Sequence, residues 1–366
     1  MLLKPSEASS SVIRKLDSGN FLATQGMELW YRLRLSKVPR DGGGVKRVVA
    51  VDCSGQGRKP QVGTRGGQNV GWLWGLMGTY VGADVLFLLA GLYPGHVPIV
   101  VSVELHIFPP LLFALLHGAK VYGWRGILTF TGLCMGVGNL FENLSIATGF
   151  PFGHYAFTER MGPKILEVPV LLGLAYVGMG YLSWTVAQGI LGTWRNGGNG
   201  WRLRLLPLLA SVVMTAWDVA MDPVWSTVGR LWIWKQGGAY FGVPVSNFLG
   251  WLLTNYVIYQ LFAWFVLRGR PREAGLNGDG ETGNLPAGYW RMAVVFYTLA
   301  ALGNLLLGIP TPRHPVISDA TGAAWRVSDI TTACAVASLG LMGGFALSAW
   351  LRLGEAKRED EPSVSG

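Results

Sequence analysis

Charge is what this sequence has least of. Only 14% of its 366 residues are Asp, Glu, Lys or Arg, half are hydrophobic, and the mean hydropathy is +0.34. Soluble domains carry about a quarter charged residues, so this composition excludes a soluble enzyme and points to a polytopic membrane protein. Cysteine is scarce as well. Cys53, Cys134 and Cys334 show neither pairing nor metal-ligand spacing, which argues against a disulfide scaffold and against zinc. No Walker-type loop or dinucleotide-binding glycine pattern stands in a strand–helix setting. The polar, Gly- and Arg-rich first 69 residues lack the apolar core of a signal peptide.

What the sequence does have is apolar runs near the ~20 residues that cross a bilayer. They fall at 70–92, 97–118, 126–146, 168–191, 203–221, 245–267, 289–309 and 327–353. The expected fold is an all-α integral membrane bundle of about eight helices, residues 70–353. A mostly flexible basic tail (1–69), with an apolar patch at 21–35, precedes it, and a short solvated tail (354–366) follows. Residues 270–286 form a Gly-rich linker. Pro109-Pro110 should kink the second helix and free carbonyls for a neighbour to satisfy.

Lys and Arg gather in the N-terminal tail, around 120–125, 195–204 and 268–272, and after Arg352. The alternate loops hold few: Arg160, Lys164, Arg230, Lys235, Arg313 and Arg326. The positive-inside rule then places both termini in the cytoplasm. The net charge of +9 reads as topology and contact with anionic lipid, with no case for nucleic acid.

Against this background five carboxylates stand out: Asp84, Glu104, Glu142, Asp218 and Asp222 lie in or at the ends of the apolar runs. Ionisable groups inside a bilayer are costly and mark chemistry, ion movement or a buried partner. The orientation puts all five in the outer half of the membrane, below loops 148–168 and 222–244, as one roofed site. In Trp217-Asp218-Val219-Ala220-Met221-Asp222-Pro223, spacing of four sets both carboxylates on one helical face, and Pro223 ends the helix. Two such groups in a low dielectric do not both ionise easily, so one should keep its proton and serve as a general acid. The alternative is that Asp222 caps a turn in water and Asp218 pairs with an outer Arg. Glu142-Asn143 ends another helix, ahead of the rigid turn Gly149-Phe150-Pro151-Phe152-Gly153-His154-Tyr155, in which His154 reads as a hydrogen-bonding residue. Alternation around Gly237-Gly238, from Leu231 to Pro244, suggests a β-hairpin lid. Trp217, Trp225, Trp232, Trp234, Tyr240 and Trp251 crowd the same side. Interfacial aromatics are ordinary in membrane proteins, yet aromatic faces also stabilise cations in dry pockets. An acid with an aromatic lining suits protonation of an alkene.

The run Glu142-Asn143…Thr148-Gly149-Phe150-Pro151-Phe152-Gly153-His154-Tyr155…Gly162-Pro163…Val168-Pro169 resembles the membrane carotenoid-biosynthesis family that contains the CruF-type carotenoid 1,2-hydratases. So do Asp218, Met221-Asp222-Pro223, Trp232-x-Trp234, Gly238-x-Tyr240-Phe241-Gly242-Val243-Pro244 and Asn247-x-x-Gly250-Trp251. The resemblance covers roughly residues 72–353. It implies hydration of a terminal isopropylidene alkene on a lipophilic isoprenoid or carotenoid: an acid makes a tertiary cation and water captures it, without metal or redox cofactor. Carried over, it marks Glu142 and Asp218, then Glu104 and Asp222, as catalytic candidates. Asn143, Tyr155, Trp217, Trp232, Trp234, Tyr240, Phe241, Asn247 and Trp251 become candidate pocket residues. Asp84, farther from the motif loops, should matter less. Two rivals remain. A terpene cyclase or prenyltransferase would bind Mg²⁺ and a prenyl diphosphate through Asp218 and Asp222. A transporter would use the acids as a proton relay.

Overall fold

The computed structural model of the protein describes residues 70–93, 99–194, 200–268, 285–306 and 316–360. The patch expected at 21–35 and nearly all of the 270–286 linker lie outside the described residues. Within the described residues each apolar run predicted to cross the membrane is mostly helical. Helix α1 spans Gly71–Leu92 and α2 spans Ile99–Thr148. They are followed by α3 (Val170–Leu191), α4 (Gly200–Pro223), α5 (Val245–Arg268) and α6 (Ala287–Leu306). The last run holds α7 (Val327–Ala337) and α8 (Gly343–Asp360), joined through a π-helical turn.

Among the described residues six helical segments are long and apolar enough to cross a bilayer, the last of them, Val327–Glu355, running from α7 into α8. One of them, Glu104–Thr148, has 45 residues. At 1.5 Å per residue that is ~68 Å, more than twice a ~30 Å hydrocarbon core. It divides at Gly123, whose φ of 69° and ψ of 166° are non-helical. The division falls in the gap left between the predicted runs 97–118 and 126–146, and Pro109-Pro110 lie inside the first arm of α2. The C-terminal helix also runs beyond the predicted end at 353, to Asp360.

Packing agrees with a lipid environment. Nearly every residue of α3 from Leu171 to Gly189 is buried, with α2, α4, α6 and α8 packed around it. Large apolar side chains instead line the outside, among them Trp74, Val85, Leu140, Leu249, Trp264 and Leu351. An apolar exterior around a packed interior is costly in water and expected in a bilayer. The chain is a multi-pass integral membrane protein.

The fold is not purely helical. Among the described residues there are three short antiparallel ribbons: β1 (Tyr155–Phe157) with β4 (Trp232–Trp234), β2 (Lys164–Ile165) with β3 (Val168–Pro169), and β5 (Val316–Ser318) with β6 (Ala324–Arg326). The expected hairpin within 231–244 does not form. β4 pairs with β1 from the other loop, in register Tyr155↔Trp234 and Phe157↔Trp232. The chain after Gly237 folds back on itself, with Gly238 packed so tightly on Val243 and Pro244 that a Cβ there would lie 2.1 Å from the Val243 carbonyl carbon. No straight second strand fits that path. The roof expected from two loops is thus one joint ribbon, and its period of two turns Tyr155, Phe157, Trp232 and Trp234 inward while Ile233 stays exposed.

The β5–β6 ribbon was not anticipated. Asp319 organises its turn: Oδ1 accepts from the Thr321 and Ala323 N–H groups and the Thr321 hydroxyl, and Oδ2 accepts from the Trp325 indole. Slight burial works against ionisation, but these hydrogen bonds outweigh it and hold the Asp319 carboxyl below its ordinary value. Trp325 in turn packs on Phe241, ring centroids 5.5 Å apart.

Candidate active site

Asp218 and Asp222 lie one turn apart at the end of α4. Beyond Pro223 the helix widens into a π-turn, Val224–Val228, a feature frequent at functional sites. Across from them, Asn247 sits in the first turn of α5, whose start is tied to the loop between α2 and α3 by the Ser246 hydroxyl on the Phe152 carbonyl at 2.8 Å. The Asn247 amide bridges the pair, Nδ2 donating to Asp218 Oδ2 at 2.8 Å and to Asp222 Oδ2 at 2.7 Å. Asp222 Oδ1 receives the indoles of Trp232 (3.0 Å) and Trp234 (3.4 Å) from the roof. Asp218 Oδ1 is buried with no hydrogen-bond partner. Among the described residues no arginine reaches Asp218: Arg160 donates to the Gly229 carbonyl and Arg230 to that of Ser318.

Glu142, on the second arm of α2, faces the same space. Oε1 accepts from the Tyr176 hydroxyl of α3 at 2.8 Å, and Oε2 from the Tyr155 hydroxyl of β1. Burial, and then the neighbouring Glu142, push the Tyr155 phenol well above its ordinary value, so it stays protonated and donates. The tyrosines link the two halves of the site. Tyr155 lies against Trp234 at 4.8 Å, and Tyr176 stacks on Trp251 at 4.7 Å with a 5° interplanar angle.

Together these groups line a chamber of about 310 Å³, its mouth included. Its walls are three carboxyls, one amide, and the rings of Tyr155, Phe157, Trp232, Trp234 and Trp251. A wider, mostly apolar chamber of about 780 Å³ adjoins it, sharing Leu172, Met221 and Trp232 as wall residues.

A family described as carotenoid biosynthesis protein matches residues 98–313, more than half of the chain. The chain belongs to this carotenoid biosynthesis family. It is also similar to a bisanhydrobacterioruberin hydratase of Haloarcula japonica, 30% identical over 122 residues, which is 33% of this chain and 39% of that relative. The similarity thus spans well under half of the relative's length. No solved structure matches.

Within this family member the structure gathers some of the sequence-derived candidates and separates others. Glu142, Asp218, Asp222, Tyr155, Trp232, Trp234, Asn247 and Trp251 line the acid chamber, and Trp217 lines the wide one. Glu104 is half-buried on the first arm of α2 and lines neither. Asn143 lines neither chamber; it holds the β2–β3 turn, donating to Asn139 and accepting the Glu167 N–H. Tyr240 and Phe241 sit behind the roof, Tyr240 against Phe241 and Phe248, Phe241 against Trp325. Sequence reasoning missed Tyr176, Phe157, Leu172 and Met221. Met221 lies in the quoted Met-Asp-Pro motif, and period two from Tyr155 points to Phe157.

Proposed function

We propose that this protein hydrates a terminal alkene of a lipophilic isoprenoid, as a carotenoid hydratase does, by protonation followed by water capture. The observation that carries the reading is the partnerless, buried Asp218 Oδ1 beside an aromatic wall. Glu142 and Asp222 have donors on both oxygens, so Asp218 has the carboxyl oxygen still available to an incoming alkene. In its acid form Asp218 transfers the proton to the less substituted alkene carbon. Its O–H bond breaks as the new C–H bond forms, leaving a tertiary cation. The faces of Trp232, Trp234, Trp251 and Tyr155 tolerate that cation in a dry pocket, and the β1–β4 roof limits how much water arrives. Membership of a carotenoid biosynthesis family and the likeness to a hydratase support the substrate class.

The donor set around Asp218 and Asp222 also favours chemistry without a metal. An amide N–H₂ and two indole N–H groups point at these carboxyls, where a Mg²⁺ site would present further oxygens. The deciding experiment supplies the purified protein with acyclic carotenoids or with prenyl diphosphates, with and without exhaustive EDTA, and analyses product masses. The expected result is a carotenoid heavier by one water, formed equally well with EDTA. A diphosphate-dependent hydrocarbon, lost with EDTA and restored by Mg²⁺, would replace this reading with the cyclase.

For topology we infer eight crossings, the two arms of α2 counting separately, with both termini cytoplasmic and the roof on the opposite face. An impermeant maleimide should label a cysteine introduced at 158–164 only from that opposite face. Labelling from the cytoplasm would reverse the placement of the whole site.

A further inference from the structure

The wide chamber contains a polar pair that the acid cluster does not use. Asp84 of α1, which lies outside the family-matched segment, meets His106 of α2 at 2.9 Å, Oδ1 to Nε2. The wall around them is mainly apolar, including Ile107, Pro110, Met179 and Met221. Rings hold the imidazole edge-on: Tyr80 at 5.2 Å, Trp225 at 6.2 Å and Phe87 at 6.4 Å. On the far side α6 makes room for the carboxylate with Gly303, where a Cβ would lie 2.5 Å from Asp84 Oδ1 and 2.7 Å from Oδ2. Three helices are therefore shaped around one carboxyl group that lines a cavity. A carboxylate offers about four acceptor positions, and His106 takes one of them.

We propose that Asp84, fixed in place by His106 and Gly303, is a water-binding site that supplies the acid chamber. The proposal rests on the hydration reading and adds the second half of the reaction. Water held on Asp84 directs a lone pair at the tertiary cation across the shared wall of Leu172, Met221 and Trp232. The C–O bond forms, one O–H bond of the resulting oxonium breaks, and its proton passes to the Asp84 carboxylate. Return of that proton through water to Asp218 restores the starting state, so the net change is addition of one H₂O. A polar pair in the wide chamber also explains how a mostly apolar approach holds water where the cation can use it.

The test follows two products in D₂O, using the purified full-length protein and an acyclic carotenoid. Wild type should give the tertiary alcohol with one carbon-bound deuterium. Asp84→Asn weakens the acceptor and cannot take the proton, and Gly303→Ala displaces the carboxylate while keeping both polar side chains. In each, alcohol should fall by about tenfold, the scale of one lost hydrogen bond. Recovered hydrocarbon should meanwhile gain deuterium, because the cation still forms and then loses a proton. Gly303→Ala carries the test by itself if Asp84→Asn does not fold. Alcohol and deuterium uptake falling together would overturn the proposal, since the pair would then support the acid step or the fold. Unchanged alcohol in both variants would overturn it as well. A wild-type protein giving neither alcohol nor exchange would instead remove the hydration reading beneath it.

Discussion

Turnover should fall by about a hundredfold or more when Asp218 becomes Asn, the usual scale for a lost general acid. The amide keeps the shape and can still meet Asn247, but it has no carboxylic proton to give. The protein should remain folded and inserted, and its melting temperature should hold, because the amide replaces a neutral carboxyl of the same shape and keeps an acceptor for Asn247. Glu142→Gln should lose a comparable amount for a different reason. Each Glu142 oxygen accepts from a phenol, Tyr155 or Tyr176. Glutamine replaces one acceptor with an N–H₂ that faces a hydroxyl donor, so the tyrosines must turn away and the chamber wall moves. Turnover of the purified, detergent-solubilised variants, with a melting curve for each, checks both. Near-normal turnover in both would make these carboxyls structural partners at helix ends and end the acid assignment.

The parts of this site that were legible in the sequence are those that contrast with their surroundings. Asp218 and Asp222 are conspicuous because each carboxylate interrupts an apolar run, and their spacing by itself fixes a shared face. Trp232-x-Trp234 declares its period of two, and the structure uses it: both indoles turn inward to Asp222. Tyr176 gave no such signal. It lies in α3, buried on all sides and uniformly apolar, so no face of the helix is marked and an aromatic there reads as packing. Pairing of β1 with β4 joins segments about 75 residues apart by backbone hydrogen bonds, and those carry no side-chain code. A local hairpin was the nearest available reading for β4, and the tight return at Gly238 rules it out only in three dimensions. The division of α2 was legible as the gap between the runs 97–118 and 126–146, but the residue that makes it was not, since Gly123 is one glycine among 52. Asp84 was visible as a carboxylate in an apolar run, yet nothing in the sequence says that it faces His106 across two helices.

The bridging amide gives the second large effect. Asn247→Leu should both destabilise the protein and lower its turnover, because a single side chain satisfies two buried carboxyls. With leucine there, Asp218 has no hydrogen-bond partner on either oxygen, and Asp222 keeps only the indoles on Oδ1. A buried acceptor left unpaired costs about 1–3 kcal/mol, and more where charge is involved, so the melting temperature should drop clearly. The carboxyls would also lose the link that holds them one turn apart at a fixed angle, so the proton on Asp218 would no longer be aimed at the chamber. A double-mutant cycle separates this from a general packing defect. If Asn247 acts through Asp218, then adding Asn247→Leu to Asp218→Leu should cost less stability than adding it to wild type. The coupling expected for directly bonded residues is about 0.5–3 kcal/mol. Strict additivity of the two changes, with turnover in Asn247→Leu near that of wild type, would mean that the bridge is incidental and that Asp218 is positioned by its own helix alone.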